Sequence, residues 1–191
     1  MLKKFKQWFS YEEVDSLRRP ELSGNLANRA RLEQETVQLS NGFFLKATIG
    51  SVSDIPDILE IEALCYEGKT PWDKKALEHE IKSNNRAIYL IVRESTKAVG
   101  FIGAWLVDKE THITNVAVIP DYQKRGIATF LIAELQKISE QENMQKMSLE
   151  VRISNENAQR LYNTLGFQKG IIKKDYYTGD KEDALEMNKF I

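Results

Sequence analysis

The sequence predicts an α/β fold built on a mixed, α+β-like sheet, with parallel and antiparallel strands and helices on both faces. Three observations lead there. From residue 43 onward, segments of strand and helix character follow one another in the order βααβββαβαββ. Strands and helices alternate only in the second half, so one part of the sheet is parallel and the other is not. A single tight turn, Gln123 to Ala128, leads from a strand directly into a long helix with an apolar stripe.

Phe43 to Ile49 alternates as a strand. Ser53-Asp54-Ile55-Pro56 reads as a helix start, with Ser53 as N-cap and Pro56 in the first turn. Ile55, Ile58, Leu59, Ile61 and Leu64 then recur mostly at helical spacing. A second helix covers Asp73 to Ser83. Ala87 to Arg93 and Ala98 to Val107 are rich in β-branched and aromatic residues, and the polar turn Glu94-Ser95-Thr96-Lys97 joins them as a hairpin. Thr111 to Ile119 is a strand closed by Pro120-Asp121. Gly126 to Asn143 is the long helix, its stripe made of Ile127, Phe130, Leu131, Leu135 and Ile138. Met147 to Val151 is a strand. Asn155 to Gly166 is a helix, with Asn155 as cap and Gly166 as stop. Phe167 to Lys174 and Ala184 to Lys189 are two last strands around the turn Thr178 to Lys181. Residues 1–42 differ in texture, being rich in Glu, Arg, Asn, Gln and Ser. They read as a helical extension of two or three short pieces, and 43–191 as the domain proper.

Bulk properties narrow the function classes. A chain of 191 residues, 42% hydrophobic and 29% charged, is enough for one domain with a substantial core, or for one domain plus a small appendage. A net charge of −1 supplies no global attraction to nucleic acid or an anionic membrane. The one cysteine, Cys65, leaves no internal disulfide and no multi-cysteine metal site, which suits a cytoplasmic protein. No run is long enough to span a bilayer, and no apolar segment follows the basic start to make a signal peptide. Met1, Leu2, Phe5, Trp8 and Phe9 share one helical face, expected to dock on the chain's own domain or a partner rather than on a membrane.

The chemistry concentrates in Asn115 to Ala128. Helix N-termini carry unpaired N–H groups and partial positive charge, and so bind phosphates. Gly126 and Ala128 keep the backbone bare, and Lys124 and Arg125 add local charge. An ordinary strand–turn–helix would use small residues in the same places, so spacing alone leaves the two readings even. The pattern is neither the dinucleotide G-x-G-x-x-G nor a triphosphate-binding loop ending in G-K-[ST].

Gln123-Lys124-Arg125-Gly126-Ile127-Ala128 resembles the Q/R-x-x-G-x-G/A signature of the GNAT superfamily of N-acetyltransferases, and most closely its RimI-type, ribosomal-protein-alanine branch. Asn115 to Val118, Leu149 to Asn155, Asn157 to Phe167, and the tail from Asp175-Tyr176-Tyr177 to Met187 carry the same resemblance. It extends over about residues 43 to 190. It implies two neighbouring parallel strands that splay apart around acetyl-CoA, with a bulge before the pyrophosphate loop. The backbone of Val116, Ala117 and Val118 would pair with the pantetheine amides, and a free N–H there would polarise the thioester carbonyl. Lys124, Arg125, Gly126, Ile127, Ala128 and Thr129 would hold the pyrophosphate, and Asn155 would cap its helix and touch the cofactor. No metal is expected.

The resemblance makes Glu150 the general base, where a solvated strand-end glutamate or one paired with Arg152 is the ordinary alternative. It makes Tyr162 the acid that protonates the departing thiolate. Because free thiols titrate near 8.5, that acid helps without being indispensable. Tyr176 and Tyr177 would line the acceptor site, Trp72 would line it too or only cover the core, and an acidic residue of Glu182-Asp183 would meet a basic peptide side chain. His112 is either an auxiliary base or a strand histidine with a mundane hydrogen bond, and His79 is solvated. Cys65 packs. An α-amine near 7.7–8.0 is easier to deprotonate than a lysine near 10.4 by about 3.5 kcal/mol, so a single modest base favours an N-terminal acceptor. The expected partner is a ribosomal protein beginning with alanine. A lysine or small-amine acceptor, or a non-catalytic acyl-CoA-binding module, remain the alternatives.

Overall fold

A computed structural model describes residues 24–39, 42, 44–66, 68 and 73–191. The elements are α1 (Leu26–Arg29), β1 (Thr36–Gln38), β2 (Phe44–Ile49), α2 (Ile55–Cys65), α3 (Lys74–Ser83), β3 (Ala87–Glu94), β4 (Lys97–Val107), β5 (Glu110–Val118), α4 (Ile127–Gln141), β6 (Lys146–Arg152), α5 (Glu156–Thr164), β7 (Gln168–Tyr177) and β8 (Glu182–Phe190). From β2 onward this is the expected order. Among the described residues, eight strands form one sheet, β1-β2-β3-β4-β5-β6-β8-β7, and of these strands only β5 and β6 pair in parallel.

Neighbouring side chains on β5 show which helices cover which face. Thr111 donates to Ser139 of α4 at 2.7 Å. The next residue, His112, lies 6.1 Å from Trp105, whose indole donates to Glu80 of α3 at 2.5 Å. Successive strand residues point to opposite faces, so α4 covers one face and α3 the other. The α4 stripe is buried as expected, with Leu131, Leu135 and Ile138 fully enclosed.

Two local expectations are corrected. Ser51, not Ser53, caps the first helical segment: it forms a capping box with Asp54 around the 3-10 turn Val52–Asp54, and α2 follows from Ile55. Within residues 24–42, Thr36–Gln38 is an edge strand paired with β2 rather than a helical piece. Leu26, Ala30 and Leu39 join the core, and Glu134 of α4 accepts the Glu33 and Gln34 amides at 3.0 Å each. The apolar face of residues 1–9 lies outside the described residues.

Two features of β5 open the sheet. Gly103 pairs with Asn115 but Ala104 pairs with Ile113, so Thr114 is an extra residue, a bulge, immediately before Asn115-Val116-Ala117-Val118. Gly103 is required opposite it, since a Cβ there would come 2.6 Å from the Tyr89 ring. The parallel ladder with β6 covers only Glu110–Lys146, Thr111–Met147 and His112–Ser148. Beyond that rung the two strands separate.

Candidate active site

The gap between β5 and β6 exposes backbone. Ile119 donates to Val99 at 3.0 Å in register with β4. Amide groups alternate between the two edges of a strand, so Ala117 and Ile119 face β4, and Val116 and Val118 face the gap. The Val118 carbonyl accepts from Gln123 at 2.9 Å and from the Cys65 thiol at 3.2 Å. Burial pushes the Cys65 pKa up, opposite to nucleophilic activation and consistent with packing.

The loop after β5 has the form of an anion cradle. Lys124 and Gly126 both adopt positive φ, 59° and 85°, and Gly126 is the N-cap of α4. The N–H groups of Gly126, Ile127, Ala128 and Thr129 begin the helix without carbonyls a turn earlier to receive them. A Cβ added at Gly126 would meet nothing within 4 Å, so the glycine serves the backbone conformation and leaves open space. Lys124, Arg125 and Thr129 are exposed, whereas the Ile127 side chain points into the core. Ile127 can therefore offer only its amide. Arg125 lies 5.1 Å from the Tyr122 ring and Lys97 lies 5.7 Å from it, which gathers cations beside the loop. These residues fit the pyrophosphate of an acyl-CoA.

Glu150 lies on β6 two residues past the last rung, its side chain 5% exposed. It does not pair with Arg152, the ordinary alternative; Arg152 pairs instead with Asp180 at 2.8 Å and Glu182 at 2.5 Å. Glu150 Oε1 is 2.5 Å from Lys173 Nζ, and Oε2 is 3.2 Å from His112 Nε2. Lys173 also bridges to Glu186 at 2.7 Å. Burial lowers the Lys173 pKa, but hydrogen bonds to the two carboxylates outweigh it and leave the ammonium above its ordinary value. That cation favours the ionised carboxylate of Glu150, ready to accept.

Tyr176 and Tyr177 contact Glu150, and Tyr162 and Tyr66 lie near Tyr177. Tyr176 lies edge-on to Tyr177 with ring centroids 5.3 Å apart, and Tyr177 donates to the Glu150 carbonyl at 3.4 Å. The Tyr176 hydroxyl hydrogen-bonds the Glu150 side chain, and its pKa is raised first by burial and then by that charge. Tyr162, capped in place on α5 by Asn155 (whose side chain accepts from Ala158 at 3.1 Å), packs on Phe167 and is 7% exposed. Burial, then Tyr177, drives its pKa up, so it stays protonated and able to donate. Burial pushes Tyr177 up to about 12. Tyr66, at the end of α2, donates to Asn115 at 2.8 Å, and Asn115 donates to the buried Glu62 at 2.7 Å.

Of the residues singled out in the sequence, Glu150, Tyr176 and Tyr177 are in contact, and Tyr162 lies near Tyr177. His112 is no isolated strand histidine, since it touches Glu150 directly. The acidic tail is already engaged: Glu182 accepts from Arg152 and from the Ser154 amide, and Asp183 pairs with Lys174 at 2.6 Å. Trp72 lies outside the described residues. Lys173, Tyr66 and Glu62, which the sequence does not single out, contact Glu150 or Asn115. Lys173 had no sequence signal of its own, because its partners depend on strand register.

A parallel pair that separates beyond a bulge, a glycine-capped phosphate cradle and a buried carboxylate beside protonated tyrosines define an acyl-CoA-dependent N-acyltransferase. Residues 55–167, more than half the chain, match the acetyltransferase (GNAT) family. The chain belongs to that family, and it is an acetyl-CoA-dependent N-acetyltransferase. The ribosomal protein bS18-alanine N-acetyltransferase of Escherichia coli K12 is 32% identical over 144 residues, spanning 73% of this chain and 95% of that protein. A Bacillus subtilis protein provisionally given the same activity is 37% identical over 136 residues, spanning 71% of this chain and 89% of its own. The crystal structure of the ribosomal-protein-S18-alanine N-acetyltransferase from Escherichia coli superposes with a TM-score of 0.67, over 76% of this chain and 94% of that one.

Proposed function

We propose that this enzyme acetylates the N-terminal α-amine of a ribosomal protein beginning with alanine, using Glu150 as general base and Tyr162 as general acid. The observation that carries the proposal is the separation of β5 from β6 beyond His112–Ser148, which sets the Val116 and Val118 amides against Glu150. The names of the Escherichia coli and Bacillus subtilis relatives support the acceptor.

In this reading acetyl-CoA supplies the activated acetyl group as a thioester. Lys124, Arg125 and the amides of Gly126 to Thr129 hold its pyrophosphate, and Asn155 lies beside the cofactor. The inward N–H groups of Val116 and Val118 align the pantetheine and stabilise negative charge growing on the thioester oxygen. Glu150 takes the proton that the attacking nitrogen must lose. Tyr162, held protonated by burial, returns a proton to the departing sulfur. Tyr176 and Tyr177 wall the acceptor channel. No metal enters the scheme, and a cytoplasmic location suits a ribosomal acceptor.

The decisive assay is mass spectrometry of acetyl transfer to peptides with free N-terminal Ala, Ser or Met, beside a lysine peptide with a blocked N-terminus. Fastest transfer to the alanine peptide is expected. Faster transfer to the lysine peptide overturns the acceptor assignment.

A further inference from the structure

The strand that carries the gap-facing amides is paired along one edge. Among the described residues, Asn115, Val116, Ala117 and Val118 pair with Gly103, Ile102, Phe101 and Gly100 of β4, whereas the ladder with β6 ends at His112–Ser148. The bulge at Thr114 raises the local twist, and the stretch beyond it has β4 as its one lateral neighbour. Donors that stabilise a developing charge work only when they are already aimed at it. The Val116 and Val118 N–H groups therefore depend on support from outside the sheet.

The last turn of α2 supplies it. Tyr66 is the C-cap of α2, and its hydroxyl donates to Asn115 Oδ1 at 2.8 Å. Its neighbour Cys65 donates the thiol hydrogen to the Val118 carbonyl at 3.2 Å. The two contacts grip the two ends of the segment from Asn115 to Val118, about 10 Å apart along an extended strand. A long phenol and a short thiol reach both ends from adjacent positions. Glu62, one turn earlier and fully buried, accepts from Asn115 Nδ2 at 2.7 Å. An acceptor on one side and a hydroxyl donor on the other fix which way the Asn115 amide faces.

This helix end is itself pinned. The Tyr66 amide donates to the Glu62 carbonyl at 2.9 Å, and the Gly68 amide closes the helix end onto the Ala63 carbonyl at 3.0 Å. Burial pushes the pKa of both Tyr66 and Cys65 up, so both keep the hydrogens they donate. The gap-facing Val118 carbonyl also accepts from Gln123 at 2.9 Å, so both of its lone pairs are engaged by side chains.

We propose that Tyr66 and Cys65, with Glu62 orienting Asn115, are positioning residues that brace β5 from Asn115 to Val118 and so aim the Val116 and Val118 N–H groups at the thioester oxygen. The proposal rests on the reading of those two amides as donors to that oxygen. Tyr66 and Cys65 act through the strand and supply no group to the reaction itself. Tyr66 also lies near Tyr162 and Tyr177, so the experiment separates the brace from a contact with the acceptor peptide.

The test is infrared difference spectroscopy of the full chain saturated with acetyl-CoA carrying carbon-13 at the thioester carbonyl, beside kcat and KM with an alanine-starting peptide. The variants are Tyr66→Phe, Cys65→Ala, the two combined, and Cys65→Ser, each compared with wild type in melting temperature. Hydrogen bonds from aimed amides lower the carbonyl stretching frequency on binding. In Tyr66→Phe and in Cys65→Ala that lowering shrinks and kcat falls about 10-fold, less than the outright loss of one such donor costs. The KM values for acetyl-CoA and peptide stay close to wild type, and the combined variant loses more than either single one. Cys65→Ser, which keeps a donor to Val118, retains both frequency and rate. Wild-type frequency and kcat in the combined variant remove the brace and leave the amides as donors. A raised peptide KM with an unchanged frequency makes Tyr66 an acceptor contact and also removes the brace. No lowering in the wild-type enzyme removes the reading of the amides beneath it.

Discussion

Glu150 stands directly opposite Glu186 in the antiparallel register of β6 and β8, two like charges on adjacent strands. Such a pair is destabilising on its own, and Lys173 resolves it by bridging both carboxylates. Lys173→Met therefore destabilises the fold by about 1–3 kcal/mol, read from chemical denaturation, because a partly buried charge loses its partner. Glu150→Gln lowers kcat about 100-fold at neutral pH, and the deficit shrinks at high pH as the amine deprotonates unaided. A deficit that is flat with pH would exclude Glu150 as the base. Tyr162→Phe lowers kcat about 10-fold while calorimetry finds acetyl-CoA affinity nearly intact, since a thiolate leaves tolerably without an acid.

At the scale of elements, β5 matters most. Its bulge at Thr114 and its short ladder with β6 turn an ordinary sheet edge into a gap lined by the Val116 and Val118 amides. Gly103→Ala drives a methyl into the Tyr89 ring and costs about 1–3 kcal/mol, measured as a lowered melting temperature. Gly126→Ala meets no neighbour but forces a side chain to a φ of 85°, which costs about 1–2 kcal/mol. The two glycines separate cleanly in assay: the Gly126 variant also raises the KM for acetyl-CoA, because the cradle is the backbone it distorts.

At the scale of the molecule, residues 24–39 form part of the domain. Leu26 is fully buried, Arg29 pairs with Glu142 at 2.7 Å, and Glu134 receives two amides of the same segment. Leu26→Ala therefore costs about 2–5 kcal/mol in equilibrium unfolding, as a core truncation does. An effect under about 0.5 kcal/mol, the size expected of a surface change, would show that the segment is only draped over the domain.

By itself the sequence determined the order of elements from β2 to β8, the glycine-capped start of α4, the Asn155 cap and the candidacy of Glu150 and Tyr162. Each is written locally: periodicity over a few residues, a cap beside the helix it caps, or a motif read in one stretch. The tertiary structure decided the rest, because it depends on register between distant strands. His112 joins Glu150 only because β5 and β6 pair as far as Ser148. Lys173 meets Glu150 and Glu186 only because β8 lies between β6 and β7. Thr36–Gln38, too short to show a period, becomes a strand only by pairing with β2. Acidic residues offered by the tail for a substrate were taken by Arg152 and Lys174, neighbours that only the folded hairpin brings within reach.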